Sequence, residues 1–131
     1  MLSFPIDLSA GAPIYEQIVD AVKLAVATGR LKEGDRFPSV RHLSMELRVN
    51  PNTVQKAVAG LTDQGILEVH PGQGCYVAAR GNSSARQQKE CLDPLLEQLV
   101  IEAAHHGVST ETLHEMLQAK WRELKIKPKT R

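Results

Sequence analysis

Asn50-Pro51-Asn52-Thr53-Val54-Gln55-Lys56-Ala57-Val58-Ala59-Gly60-Leu61 is the stretch on which the fold turns. Asn50 carries a side-chain oxygen suited to capping a helix, and Pro51 suits the first helical position, where the N–H it lacks has no intrahelical partner. Val54, Ala57, Val58 and Leu61 then recur at i, i+3, i+4 and i+7, which places them on one face. The opposite face presents Asn52, Gln55, Lys56 and Ala59. Such groups suit a DNA major groove: an amide can bond an adenine edge in two places, a lysine reaches guanine or phosphate, and a small alanine lets the helix approach. The helix amino end adds backbone N–H groups and partial positive charge for a phosphate, with Thr53 as a further donor.

Working outward, a second helix precedes this one by only a few residues. Ser39 suits its cap, and Val40, Leu43 and Leu47 share one face. Leu31 to Pro38 reads as a turn-rich connection. Before it, Ile14, Ile18, Ala21, Val22 and Ala25 mark a longer helix, with Pro13 at its first position and Gly29 just past its end. On the other side, Gly65 stops the helix, and Ile66-Leu67-Glu68-Val69 and Cys75-Tyr76-Val77 are short β-prone runs flanking His70-Pro71-Gly72-Gln73-Gly74. Three helices and a hairpin, with a tight turn between the second and third helices, outline a winged helix-turn-helix. In its wing, His70 and Gln73 either enter a minor groove or serve only as turn residues.

Gly81-Asn82-Ser83-Ser84 reads as a boundary. Beyond it Leu92, Leu95, Leu96, Leu99, Val100 and Ala103 form an apolar stripe that ends at Gly107. Ser109 or Thr110 caps a last helix carrying Leu113, Met116, Leu117, Trp121 and Leu124. Pro94 either begins a helix capped by Asp93 or kinks a longer one starting near Ser84. The expected fold is therefore mainly α with a small β-hairpin: a winged helix-turn-helix over residues 1–80, then a helical dimerisation region over 81–131 with a basic tail. Leu92, Leu95, Leu96, Leu99, Leu113, Met116, Leu117 and Trp121 are the expected pairing residues, a second copy being the economical cover for them. Packing back onto the chain's own first domain is the alternative.

Length and charge narrow the function. At 131 residues the chain has room for one domain and an appendage, which excludes most multi-domain enzymes. Aromatic residues at 4% supply few stacking platforms for single-stranded nucleic acid. The formal net charge is only +1, yet Arg36, Arg41, Arg48 and Lys56 face a single acid, Glu46, between positions 36 and 56, so the basic footprint is local. Cys75 and Cys91 lack disulfide-framework or metal spacing, and no leader or apolar run of about 18 residues occurs, which fits a cytoplasmic protein without a membrane partner. Glu102, His105, His106 and His114 read as surface groups near helix ends, and no metal or cofactor is expected. No nucleophile, base or paired carboxylate occurs in an interpretable context, so no enzyme is expected.

The ordered elements Pro13-Ile14-Tyr15-Glu16-Gln17-Ile18, Gly29 through Arg41, Leu43, Val49-Asn50-Pro51-Asn52-Thr53-Val54, Ala57, Leu61, Gly65 and Gly72-Gln73-Gly74-Cys75-Tyr76-Val77 resemble the GntR family of bacterial transcription regulators. The resemblance implies DNA contacts from Arg41, from Asn50, Asn52, Thr53, Gln55 and Lys56, and from Gly72 in the wing. Val40 stands where glutamate is common in that family and Pro51 where many relatives carry arginine, so sequence preference should differ. The short tail resembles the YtrA-like subfamily, which implies paired protomers and control of transporter operons. Two helices cannot enclose a ligand cavity of about 300 Å³, so no small-molecule effector is expected. The implied function is a homodimeric repressor on double-stranded DNA with a near-palindromic site. A winged-helix adaptor that binds protein is the other reading, and steep salt dependence of DNA binding separates the two.

Overall fold

Apolar side chains at intervals of three and four produce three helices in the first half of the chain: α1, Ile14–Ala27; α2, Val40–Leu47; and α3, Pro51–Asp63. These come from a computed structural model that describes residues 2, 4–79 and 84–127. Pro13 sits one position outside α1 rather than inside it, and its carbonyl accepts from the N–H groups of Glu16 and Gln17 at 3.1 and 3.2 Å. Ser39 Oγ caps α2 by accepting from the His42 N–H at 3.1 Å. Arg48 closes α2 in the left-handed region (φ 55°), which a non-glycine residue rarely adopts, and Asn50 already caps α3. Three residues thus separate the two helices.

The core collects what these helices bury. Ile18, Val22 and Ala25 of α1, Leu43 of α2, and Val54, Ala57, Val58 and Leu61 of α3 form one apolar cluster. Val19 joins the buried face of α1, whereas Ile14 is 40% exposed and Ala21 only half-buried, so the stripe lies slightly rotated from its expected line. Phe4 also enters the core, its ring stacked on Phe37 with centroids 5.9 Å apart.

Strands β1, Leu67–His70, and β2, Gly74–Val77, pair antiparallel with Leu67 opposite Val77 and His70 opposite Gly74. Leu67 and Val77 turn inward and are almost fully buried. The connection before α2 is not a plain turn. Gly34 and Phe37 donate backbone N–H groups to Val77 and Cys75, Val77 donates back to Asp35, and Arg36 bridges Tyr76. Residues 34–37 therefore occupy the outer edge of β2, whose backbone groups would otherwise be unpaired.

Two compact units account for the chain, one carrying α1 through β2 and the other carrying α4, Ala85–His105, and α5, Thr110–Glu123. Ser84 opens α4 with a reciprocal cap: its Oγ accepts from the Gln87 N–H at 3.2 Å and its own N–H donates to Gln87 Oε1 at 2.9 Å. Pro94 lies inside this single continuous helix, so of the two alternatives the longer helix forms. Gly107 then turns the chain, and Ser109 Oγ accepts from the Thr112 N–H to cap α5. Of the boundary stretch, Gly81 to Ser83 lies outside the described residues, as does the tail from Pro128 onward.

Candidate nucleic-acid interface

The expected recognition face is the solvent face of α3. With Val54, Ala57, Val58 and Leu61 committed to the core, Asn52, Gln55, Lys56 and Ala59 are all exposed, and Thr53 is half-buried beside them. The amino end of α3 is built by Asn50, whose Oδ1 accepts from the Asn52 N–H at 2.8 Å. The Thr53 and Val54 N–H groups donate to the Asn50 carbonyl at 3.0 and 3.2 Å and Pro51 has none, so the backbone donors expected here for a phosphate are already engaged, and the side chains carry the face. Arg41 is exposed in the first turn of α2, the helix that packs on α3. Arg48 is exposed in the turn between them.

Lys56 is not a free surface cation. Its Nζ lies 3.9 Å from the centroid of the Tyr15 ring, so α1 reaches the edge of the recognition face. This contact opens onto a groove of about 550 Å³ between α1 and α3, lined by Glu16, Asp20, Lys23 and Asp63 among others. Nothing in the local spacing of Tyr15 or Lys56 announces the pairing, because they stand on different helices.

At the wing, the His70 carbonyl accepts from the Gln73 N–H at 2.8 Å, with Pro71 and Gly72 between them. Gly72 has φ 75°, so the turn is of the kind that takes proline and then a left-handed residue. Pro71, Gly72 and Gln73 form an exposed tip. The His70 ring is engaged within the wing: it stacks on Tyr76 with centroids 4.5 Å apart, and its Nε2 lies 3.2 Å from Glu68 Oε1. Arg36 is a basic group that the sequence counted without placing. Its pairing with Tyr76 sets it against Gly74, where a Cβ would stand 3.5 Å from the guanidinium.

The second unit presents apolar surface of a different kind. Leu92, Leu95, Leu96 and Leu99 on α4 and Met116, Leu117 and Trp121 on α5 are 43–61% exposed, while Leu113 is half-buried near the turn. His106 Nε2 lies 3.7 Å from Glu102, and among the described residues no three His, Cys, Asp or Glu side chains converge as metal ligands. Cys75 is half-buried on β2 and Cys91 exposed on α4. Among the described residues no helix is long and apolar enough to cross a membrane.

The helix, turn, helix and wing geometry has counterparts. Residues 14–77, from the start of α1 to the end of β2, match the family model described as bacterial regulatory proteins, gntR family. The HTH-type transcriptional repressor YtrA of Bacillus subtilis (strain 168) is 39% identical over 114 residues, covering 86% of this chain and 88% of that protein. A crystal structure described as a transcriptional antiterminator from Listeria monocytogenes EGD-e superimposes with a TM-score of 0.81 at 29% identity, over 98% of this chain and 96% of that one. The DNA-binding domain of AraR, solved in complex with operator ORR3, matches 56% of this chain and 89% of its own at 26% identity, with a TM-score of 0.50. These relatives are regulators of transcription rather than enzymes. With a repressor matched at this identity along most of its length and the family model matched from residue 14 to residue 77, the chain belongs to the gntR family of DNA-binding bacterial transcriptional regulators.

Proposed function

We propose that this chain is a cytoplasmic homodimeric repressor that binds a near-palindromic operator of a transporter operon. Residues 1–80 hold the DNA and residues 81–131 pair the protomers. The observation that carries the reading is the capped amino end of α3, which offers Asn52, Gln55 and Lys56 to solvent, and it is supported by the likeness of just over half of this chain to the AraR domain solved with its operator. Arg41, Asn50, Thr53 and Gly72 complete the contact set. Two such helices related by a two-fold axis read half-sites about one helical turn apart. Pairing is supported by the exposed apolar stripes of α4 and α5.

The test is selection of bound sequences from a random duplex library at two salt concentrations, with the mass of the protein measured in solution. Enrichment of a near-palindrome by a species of twice 14.4 kDa, weakening steeply with salt, is the expected result. A folded dimer that enriches nothing refutes the operator reading in favour of a winged surface that binds protein. A monomer that enriches half-sites refutes the pairing.

A further inference from the structure

An exposed lysine ordinarily samples many rotamers along its four-carbon stem, and ordering it against DNA costs that freedom. Lys56 is held before any DNA arrives. Its ammonium lies over the Tyr15 ring at 3.9 Å, drawn to the negative face of the π-system. Tyr15 is half-buried on α1, so packing restrains the ring, and the long contact of its hydroxyl with Glu16 Oε1 at 3.4 Å adds little to that. Glu16, Asp20 and Asp63 line the same groove and outnumber Lys23, so the side chains around the ammonium are on balance acidic. A ring face engages one side of an ammonium, and Lys56 stays exposed, so N–H donors remain for an acceptor outside the protein.

We propose that Tyr15 is a positioning residue for DNA recognition: its ring fixes the Lys56 ammonium at the edge of the α3 face, where it meets a phosphate or guanine acceptor already ordered. This rests on the DNA-binding reading above and adds a residue of α1 to the apparatus. The phenol oxygen is not needed for it, since phenylalanine presents a similar ring face to a cation. Removing the ring leaves Lys56 present but free to wander.

The test uses the full chain with Tyr15→Phe and Tyr15→Leu, each made alone and together with Lys56→Met. Affinity is measured for the duplex recovered by selection and for an unrelated duplex of equal length, alongside thermal midpoints. The ε-methylene proton shifts of Lys56 are read in the unbound proteins that retain the lysine. Tyr15→Leu is expected to weaken binding by about two- to tenfold, the scale of ordering one rotamer-rich side chain on binding. Tyr15→Phe is expected to bind as the unmutated chain does. Combined with Lys56→Met, Tyr15→Leu adds no further loss, because the partner it positions is gone. The Lys56 protons lie upfield over either ring and return to ordinary values in Tyr15→Leu, which a merely structural role of Tyr15 would not require. Equal losses from Tyr15→Leu with and without Lys56 overturn the proposal, as does tighter binding by Tyr15→Leu, which would mean the ring withholds the cation. An unmutated chain that binds no duplex sinks the DNA reading itself, whereas binding indifferent to Tyr15→Leu sinks this inference alone.

Discussion

Asn50 has one role in the structure and a second in the proposal, and substitution can separate them. Its Oδ1 accepts the Asn52 N–H at 2.8 Å and caps α3, while the proposed DNA-contact set includes the same residue. Asn50→Ala deletes both. Loss of a cap costs about 1 kcal/mol, and in a folded unit of roughly 80 residues each such loss lowers Tm by about 4–8 °C. Aspartate caps as well as asparagine, and its negative charge is favoured at the positive end of a helix by about 0.3–1 kcal/mol at low ionic strength. Asn50→Asp is therefore expected to hold or raise Tm. DNA affinity moves the other way, because a carboxylate about 4 Å from a phosphate is repelled by about 1 kcal/mol in bulk water and about 4 kcal/mol at the dielectric of a protein surface. The smaller figure alone is a loss of roughly fivefold, and it shrinks as salt rises. Thermal unfolding followed by circular dichroism and titration by fluorescence anisotropy at two salt concentrations read the two roles separately. If Asp lowers Tm as much as Ala, the cap argument is wrong; if Asn50→Asp binds as tightly as the unmutated chain at low salt, Asn50 does not face DNA.

Asn52→Ala is expected to cost about 1–3 kcal/mol of discrimination at one base pair of the selected site, measured on single-substitution duplexes. Equal losses on every duplex would show that Asn52 makes no base contact. Gly72→Ala places a Cβ in open space at φ 75°, so its whole cost, about 1–2 kcal/mol, is backbone strain in the wing. Affinity should fall without any change in sequence preference, and an altered preference in a repeated selection would contradict a backbone contact. Leu99→Asp puts a charge into the apolar stripe of α4 and is expected to give a monomer by sedimentation, with less helix than the dimer. A Leu99→Asp chain that remains dimeric would remove that stripe from the interface.

What could be read from the sequence was what local chemistry decides. The caps Ser39, Asn50 and Ser109 each satisfy donors within three residues, and the buried set Val54, Ala57, Val58 and Leu61 follows from helical periodicity alone. The outer edge of β2 was not legible, because Gly34 to Phe37 pair with residues some forty positions away and their composition reads as a turn. Phe4 stood in a segment without periodicity, so only its partner Phe37 reveals it as core. Within the candidate site the exposed face of α3 was foreseeable, but the hold of Tyr15 on Lys56 was not, since it depends on how α1 and α3 cross. Pro94 was ambiguous because Asp93-Pro94 and Ser84 with Gln87 are both helix-start signatures. The second prevails where the carbonyl of Glu90, deprived of its donor by Pro94, lies on an exposed turn that water can reach.

That exposure bears on how the second unit stays helical. Neither α4 nor α5 contains a buried residue. Isolated helices of about 12–15 residues are marginal in water, and α5, at 14 residues, offsets the entropy of ordering with its cap, the half-buried Leu113 and surface ion pairs such as Lys120 with Glu123. Surface pairs of that kind contribute about 0–1 kcal/mol each, whereas a leucine taken fully out of water contributes about 1.5–3 kcal/mol. The ranking is clear: the stripes that include Leu95, Leu99 and Trp121 are the main reserve of stabilisation this unit possesses, and it is realised only against another surface. Pairing and helix formation in α4 and α5 should therefore be one transition, dependent on protein concentration, while the first unit, with its own core from Phe4 to Val77, keeps its fold when diluted. The two-fold spacing of the recognition helices would then exist only in the paired state, so half-site geometry and oligomerisation are expected to fail together.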